Sequence, residues 1–265
     1  EAQRLLHAYN GLEAEPAPFL PARSPEGGIA LLPGMAADLL LTAKALMAAP
    51  HLAGGAADYA DYFEGYLNTR ETDLDTAAAI LGLAVERRPI LQELRRTVGL
   101  LGDPRQGEAV GLREQLLLVA ALCAIGDEEG AGEAYDRLIA PQLSRGEDGL
   151  VWFEAEDPDD RVELTALALL SASTAAREDA HGLSRYLNQN PSKTVLTALE
   201  QLVYVQNNRP SGRELALSVT AEGKAAPLKL LRGRAALTLT QAQLETLSVS
   251  GAEAGQVAAM ISYGG

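Results

Sequence analysis

A mainly α fold, a ring of helical hairpins followed by a small antiparallel β domain, is what this sequence predicts. Three observations carry that reading. Apolar residues recur at helical spacing through most of residues 38–207. A Leu-Thr-Ala run returns three times, as Leu41-Thr42-Ala43-Lys44-Ala45-Leu46, as Leu164-Thr165-Ala166-Leu167-Ala168-Leu169 and as Leu196-Thr197-Ala198-Leu199. After Asn207-Asn208-Arg209-Pro210-Ser211-Gly212 the pattern changes to strict alternation, with Leu215, Leu217 and Val219 between Glu214, Ala216 and Ser218. The expected division is therefore residues 1–208 for the helices and 213–265 for the sheet.

Residues 1–10 read as the end of a helix, followed by a Pro-rich entry that Gly27-Gly28 closes. Asp38 or a neighbour opens the first strong helix, to about Ala49, and Pro50 and Gly54-Gly55 break it. Residues 58–68 read as a second helix whose Tyr59, Tyr62, Phe63 and Tyr66 form a core-facing stripe. A third spans 73–85, capped by Asp73 or Asp75. A fourth starts at Pro89 and runs to about Val98, with loop over 99–111. Residues 114–125 form the most apolar helix, ended by Gly126-Asp127. A surface helix over 127–139 stops at Pro141. Gly146-Glu147-Asp148-Gly149 makes a turn, and Val151-Trp152-Phe153 a short strand or a tucked loop.

Glu154, Glu156, Asp157, Asp159 and Asp160 then run directly into Leu164-Thr165-Ala166-Leu167. Acids before an apolar run, with Pro158 among them, mark the start of a helix that continues to about Thr174. Further helices are expected over about 175–188 and 192–207, the latter capped by Ser192. In the last segment Glu222-Gly223-Lys224 reads as a turn, with strand candidates over 228–231, 236–240, 247–250 and 257–263. Thr42 and Thr76 lie about 34 residues apart, and Thr165 and Thr197 about 32, a hairpin-sized period that suits a solenoid or a closed ring. The irregularity of the repeats favours the ring.

Composition narrows the function classes. The 47% apolar content excludes a disordered chain, and with 5% aromatics the core is filled by Leu and Ala. A net charge of -14 opposes binding to nucleic-acid phosphates, which depends on Lys and Arg. Cys123 is the single cysteine, so no internal disulfide or cysteine-based zinc site exists; it reads as a buried small hydrophobe. The apolar run over 116–125 is too short to span a bilayer. A chain that starts within a helical pattern at Glu1 and stops just after a strand is expected to be part of something longer, with other domains in the parent.

Several stretches together resemble the thioester-domain region of alpha-2-macroglobulins, bacterial ones in particular. They are Gly27-Gly28 ahead of Asp38-Leu39-Leu40-Leu41-Thr42-Ala43, Glu163-Leu164-Thr165-Ala166, and Tyr186-Leu187 leading into Pro191-Ser192-Lys193-Thr194-Val195-Leu196-Thr197-Ala198-Leu199. The resemblance implies an α/α toroid, an architecture shared with terpenoid cyclases and prenyltransferase β subunits, followed by a small β domain. It also implies a secreted or cell-envelope parent. The family's thioester requires a Cys two residues before Glu-Gln. Here Gly111-Leu112-Arg113-Glu114-Gln115 places Leu112 at that position, and Lys193-Thr194 replaces the family's Gln-Asp pair after Ser192. The expectation is a member without covalent trapping, and without a cofactor or a metal.

One motif invites a catalytic reading. Asp157-Pro158-Asp159-Asp160 has the DxDD spelling of cyclases that protonate polyprenyl chains, with Asp159 as the acid sharpened by Asp157 and Asp160. Such chemistry also needs aromatic faces to stabilise carbocations, and one Trp, eight Tyr and three Phe are few. The acids are therefore read as helix-start carboxylates. A Ca²⁺ loop lacks its Gly and its ordered ligand spacing, and His7, His51 and His181 show no ligand spacing. The expected function is a non-catalytic binding or structural module, its partner a protein, a cell surface or other domains of the parent. The alternative is a toroid enzyme acting on a glycan or isoprenoid, since glycoside hydrolysis needs only two carboxylates.

Overall fold

The computed structural model describes residues 24–32, 34–49, 59–67, 72–101, 110–191, 217–228 and 239–251, together with Thr197, Leu199, Glu200, Val203 and Leu237. The described part is mainly helical, with two small antiparallel sheets. In chain order come α1 (Leu39–Ala48), α2 (Ala60–Glu64), α3 (Leu74–Val85), α4 (Leu91–Leu100), α5 (Leu112–Ile125) and α6 (Glu128–Ala134). The hairpin strands β1 (Ser144–Arg145) and β2 (Val151–Trp152) precede α7 (Pro158–Thr174) and α8 (Asp179–Gln189). Then follow β3 (Leu217–Ala221), β4 (Lys224–Leu228), α9 (Gln241–Glu245) and β5 (Ser248–Ser250). Thr197, Leu199, Glu200 and Val203 are also helical.

The helix starts follow from side chains that satisfy otherwise unpaired N–H groups. Asp38 caps α1 by accepting from Leu41 N at 2.7 Å, and Asp73 caps α3 by accepting from Thr76 N at 2.8 Å. Hydrogen bonding from the Thr76 side chain, and then from its backbone N–H, holds the Asp73 carboxyl below its usual value. Gly126 ends α5 in the left-handed conformation, φ 88°, where a side chain would be strained.

Two kinds of helix alternate. Helices α1, α3, α5 and α7 bury most of their surface; every residue of α3 from Thr76 to Val85 is buried. By contrast, α4 buries only Leu94 and Val98, and α8 only Gly182, Leu183 and Leu187. The buried helices pack in sequence order, α1 on α3, α3 on α5 and α5 on α7, while α4 lies against α5 and α8 against α7. Small residues permit this close packing: the Phe63 ring of α2 occupies the space that a Cβ at Gly82 of α3 would need. One continuous core extends from Ile29 and α1 through to Leu187, and a second small cluster joins Ala48 of α1, Leu170 of α7 and Val203.

Several boundaries differ from expectation. Helix α2 ends at Glu64, and Gly65 closes it with short-range bonds to Asp61 and Phe63 carbonyls; Tyr59, Tyr62 and Phe63 are buried, whereas Tyr66 is exposed. Helix α4 starts after Pro89, at Leu91, and runs on to Leu100. Helix α5 begins at Leu112, earlier than Glu114. The expected surface helix is only partly α: past Ala134 it widens into a π turn, Tyr135–Ile139, and tightens into a 3-10 turn at Pro141. There Gln142 Nε2 donates to Leu138 O at 2.6 Å, satisfying a carbonyl of the terminating turn. Between α7 and α8 the chain turns through Ala176, φ 53°, so α8 starts at Asp179 and not near 175.

In the second sheet the order is β4-β3-β5, all antiparallel. Glu222 and Gly223 both have positive φ and form a two-residue hairpin between Ala221 and Lys224, so β4 begins at Lys224 rather than at Leu228. Pro227, which cannot donate to a ladder, sits on this edge strand. Of the strand expected over 236–240, the described residues Leu237, Leu239 and Thr240 are not in a strand, and Thr240 instead caps α9, forming a reciprocal capping box with Gln243. β5 lies within the expected 247–250. The Ser192 cap, the 208–212 boundary and the candidate strand over 257–263 lie outside the described residues.

Candidate functional site

The acids ahead of α7 are organised by the helix start. Asp157 is the N-cap, its Oδ1 accepting from Asp159 N at 2.7 Å, and Pro158 takes the first helical position. Asp159 and Asp160 follow in the exposed first turn. Asp160 Oδ1 accepts from Arg113 Nη2 of α5 at 2.8 Å. Upstream, Glu154 accepts from Trp152 Nε1 at 2.7 Å and pairs with Arg161 at 3.4 Å. The nearby aromatic pair is closed on itself, Trp152 stacking on Tyr186 with ring centres 5.7 Å apart. The three aspartates thus stand together, as the spacing requires, but on the surface. A cleft formed by α4, α5 and α6, lined by Arg95, Glu129, Glu133 and Arg137, includes none of them.

Inward of these acids lies a buried ionic cluster that no sequence motif marks. Lys44 of α1 is fully buried. Its Nζ is 2.6 Å from Glu163 Oε1 of α7 and 2.7 Å from Glu200 Oε1. Glu163 is shared further: its Oε2 accepts from Arg113 Nη2 at 2.7 Å, so one guanidinium bridges Glu163 and Asp160. Glu200 is fully buried, and Lys44 is the described cation that faces it, acting on it by charge and by hydrogen bonding.

The two carboxylates consequently titrate in opposite directions. Burial opposes ionisation of Glu163, but Lys44 and Arg113 outweigh it and hold that pKa below its usual value. For Glu200 burial dominates, with Lys44 only partly offsetting it, and the carboxyl is pushed up to about 7. The sequence signal for this cluster was a charged residue within or directly beside each apolar run: Lys44 and Glu200 shortly after the threonine, Glu163 just before it.

The repeated threonines have a common task where their bonds are described. Thr42 Oγ1 donates to Asp38 O at 2.6 Å and accepts from Ile29 N at 2.9 Å. Thr165 Oγ1 donates to Arg161 O at 2.7 Å and accepts from Phe153 N at 3.2 Å. Each ties the preceding extended segment to the side of a buried helix, and both are fully buried.

At the position where a thioester thiol would stand, Leu112 opens α5. Gln115 donates to Val110 O at 2.7 Å and accepts from Gln142 at 3.1 Å. Cys123 lies on the same helix about 12 Å further along and is half-buried, less enclosed than expected. His181 is exposed on α8, and His7 and His51 lie outside the described residues. Among the described residues no group of His, Cys, Asp and Glu is placed to hold a metal ion, and no helix is long and apolar enough to cross a membrane. No protein-family model matches the chain, and neither does any curated protein.

Proposed function

We propose that the helices close into an α/α toroid and that this unit serves as a non-catalytic binding or structural module of a larger secreted or cell-envelope protein resembling bacterial alpha-2-macroglobulins, without thioester chemistry. The observation that carries the ring is the junction at Lys44. The buried helices follow one another from α1 to α7, and Lys44 at the start of that series contacts Glu163 of α7 and Glu200 beyond it. A solenoid would hold its first and last helices apart.

The non-catalytic reading rests on how the acids are occupied. Asp157 satisfies the helix start, Asp160 and Glu163 hold Arg113, and Glu163 and Glu200 flank Lys44. Asp159, the acid of the cyclase alternative, is exposed to water, which would quench a carbocation. The partner would be a protein, a cell surface or another domain of the same parent; the charge of -14 disfavours nucleic acid.

Two incubations test this reading. With methylamine, the protein should show neither an adduct nor a newly released thiol, because Leu112 replaces the required Cys. With squalene or geranylgeranyl diphosphate, it should give no cyclised product. A methylamine adduct would show thioester chemistry, and a cyclic product from the wild type that Asp159→Asn abolishes would replace this reading with the isoprenoid enzyme.

A further inference from the structure

We infer that the Lys44, Glu163 and Glu200 junction is a proton-controlled seam: with its carboxyl protonated Glu200 docks its helical segment against α1 and α7, and release of that proton loosens the segment. The argument starts from charge. Every described charged group around Glu200 can be named by element: Lys44 from α1, Glu163 from α7, and behind it Arg113 from α5 with Asp160 from α7. Two cations face two anions before Glu200 is counted. An ionised Glu200 is then a surplus negative charge at a site with no exposure to water. On its own segment the other described residues, Thr197, Leu199 and Val203, carry no charge.

Geometry makes this surplus a matter of the seam. Ala48, Leu170 and Val203 form an apolar cluster of their own. Ala48 and Val203 lie one helical turn beyond Lys44 and Glu200, and Leu170 about two turns beyond Glu163, on the same faces of their helices. The seam thus has an ionic layer and an apolar layer. When Glu200 gives its proton to solvent, it competes with Glu163 for one ammonium group and repels that carboxylate across the junction. Glu163 keeps Arg113 as a second partner, so the strain falls on the segment of Glu200.

The sign follows from linkage. Burial raises the Glu200 carboxyl to about 7 in the folded chain, so the stabilisation is complete only below the ordinary carboxyl value of a free glutamate and is lost as pH rises from there through the buried value. Opening of the seam, which returns the carboxyl to water, should become more favourable by up to about tenfold per pH unit between its free and buried values.

Hydrogen exchange of the full chain, read on peptides covering 39–48 and 197–203 and corrected for intrinsic exchange rates, tests this. Protection should fall by about tenfold or more between roughly pH 5.5 and pH 8, while peptides from α4 change little. Glu200→Gln, which is neutral at every pH, should remove that dependence. If this variant does not fold, carboxyl-carbon NMR of the wild type with labelled glutamate decides, since one glutamate must titrate near neutral pH. Wild-type protection independent of pH, the same pH dependence in Glu200→Gln, or glutamates that all titrate in the ordinary acidic range would each overturn the inference.

Discussion

Thr165→Val tests the reading that the recurring threonine is a lock between an extended segment and a buried helix. Valine keeps the shape and β-branching of threonine, so packing and helix propensity change little. What is lost is the oxygen that accepts from Phe153 N at 3.2 Å and donates to Arg161 O at 2.7 Å. The Arg161 carbonyl retains its helical bond, but the Phe153 N–H loses its described acceptor beside a ring that is only 1% exposed. A buried donor left unpaired costs about 1–3 kcal/mol, and the added buried methyl returns part of that, so a net loss of about 1–2 kcal/mol is expected. Thr42→Val removes the same service from Ile29 N and should cost a similar amount. Urea unfolding at constant pH measures both, and Thr165→Ser, which keeps the acceptor, separates the hydrogen bond from the methyl group. Losses below about 0.5 kcal/mol in both valine variants would refute the lock, and a serine variant as unstable as the valine one would assign the effect to packing.

Three other outcomes follow from the same contacts. Asp157→Ala removes the cap of α7 and should cost about 1 kcal/mol, whereas exposed Asp159→Asn should change stability by less than that; a larger loss from Asp159 in thermal unfolding would contradict the assigned roles. Glu200→Gln should match the wild type near pH 4 and exceed it by up to about 3 kcal/mol near pH 8, because the raised carboxyl costs stability only where it would otherwise ionise; parallel urea-midpoint curves for the two proteins would contradict it. Asp127, 2% exposed, caps α6 through Gly130 N and takes both Arg95 Nε and Nη2, at 2.6 and 2.7 Å. Asp127→Ala should therefore cost about 2–4 kcal/mol, and a loss near zero in urea unfolding would show that the pair contributes nothing.

Much of the helical order was legible because it is written locally. Asp38, Asp73 and Asp157 each precede an apolar run and each caps it, and Gly126 ends α5 as a left-handed glycine. The misplaced boundaries have local causes that compete. Gly65 stops α2 although the aromatic spacing continues to Tyr66, and Ala176 adopts a positive φ that its residue type does not announce. The Thr240 and Gln243 capping box was readable as a helix start but was overshadowed by the alternating pattern around it.

The buried ionic junction was not legible for a different reason. Lys44 and Glu163 are joined across 119 residues, and nothing in either neighbourhood states the partner. A charge in the middle of Leu41-Thr42-Ala43-Lys44-Ala45-Leu46 did signal that some counter-charge must be buried with it, because an unpaired ammonium in such a core is prohibitively costly. The DxDD spelling marks only exposed acids, while the acid with the raised pKa directly follows the third Leu-Thr-Ala run.

The central claim, that α1, α7 and the helical segment of Glu200 meet at Lys44, is tested most directly by a double-mutant cycle. Urea unfolding free energies of wild type, Lys44→Met, Glu200→Gln and the double variant are compared near pH 8, where Glu200 is mostly ionised. Groups in contact at 2.7 Å should couple by about 1–3 kcal/mol, the methionine being far less damaging once Glu200 has lost its charge. Additivity within about 0.5 kcal/mol, the behaviour of residues more than about 7–10 Å apart, would place the two side chains away from each other and contradict the closed junction.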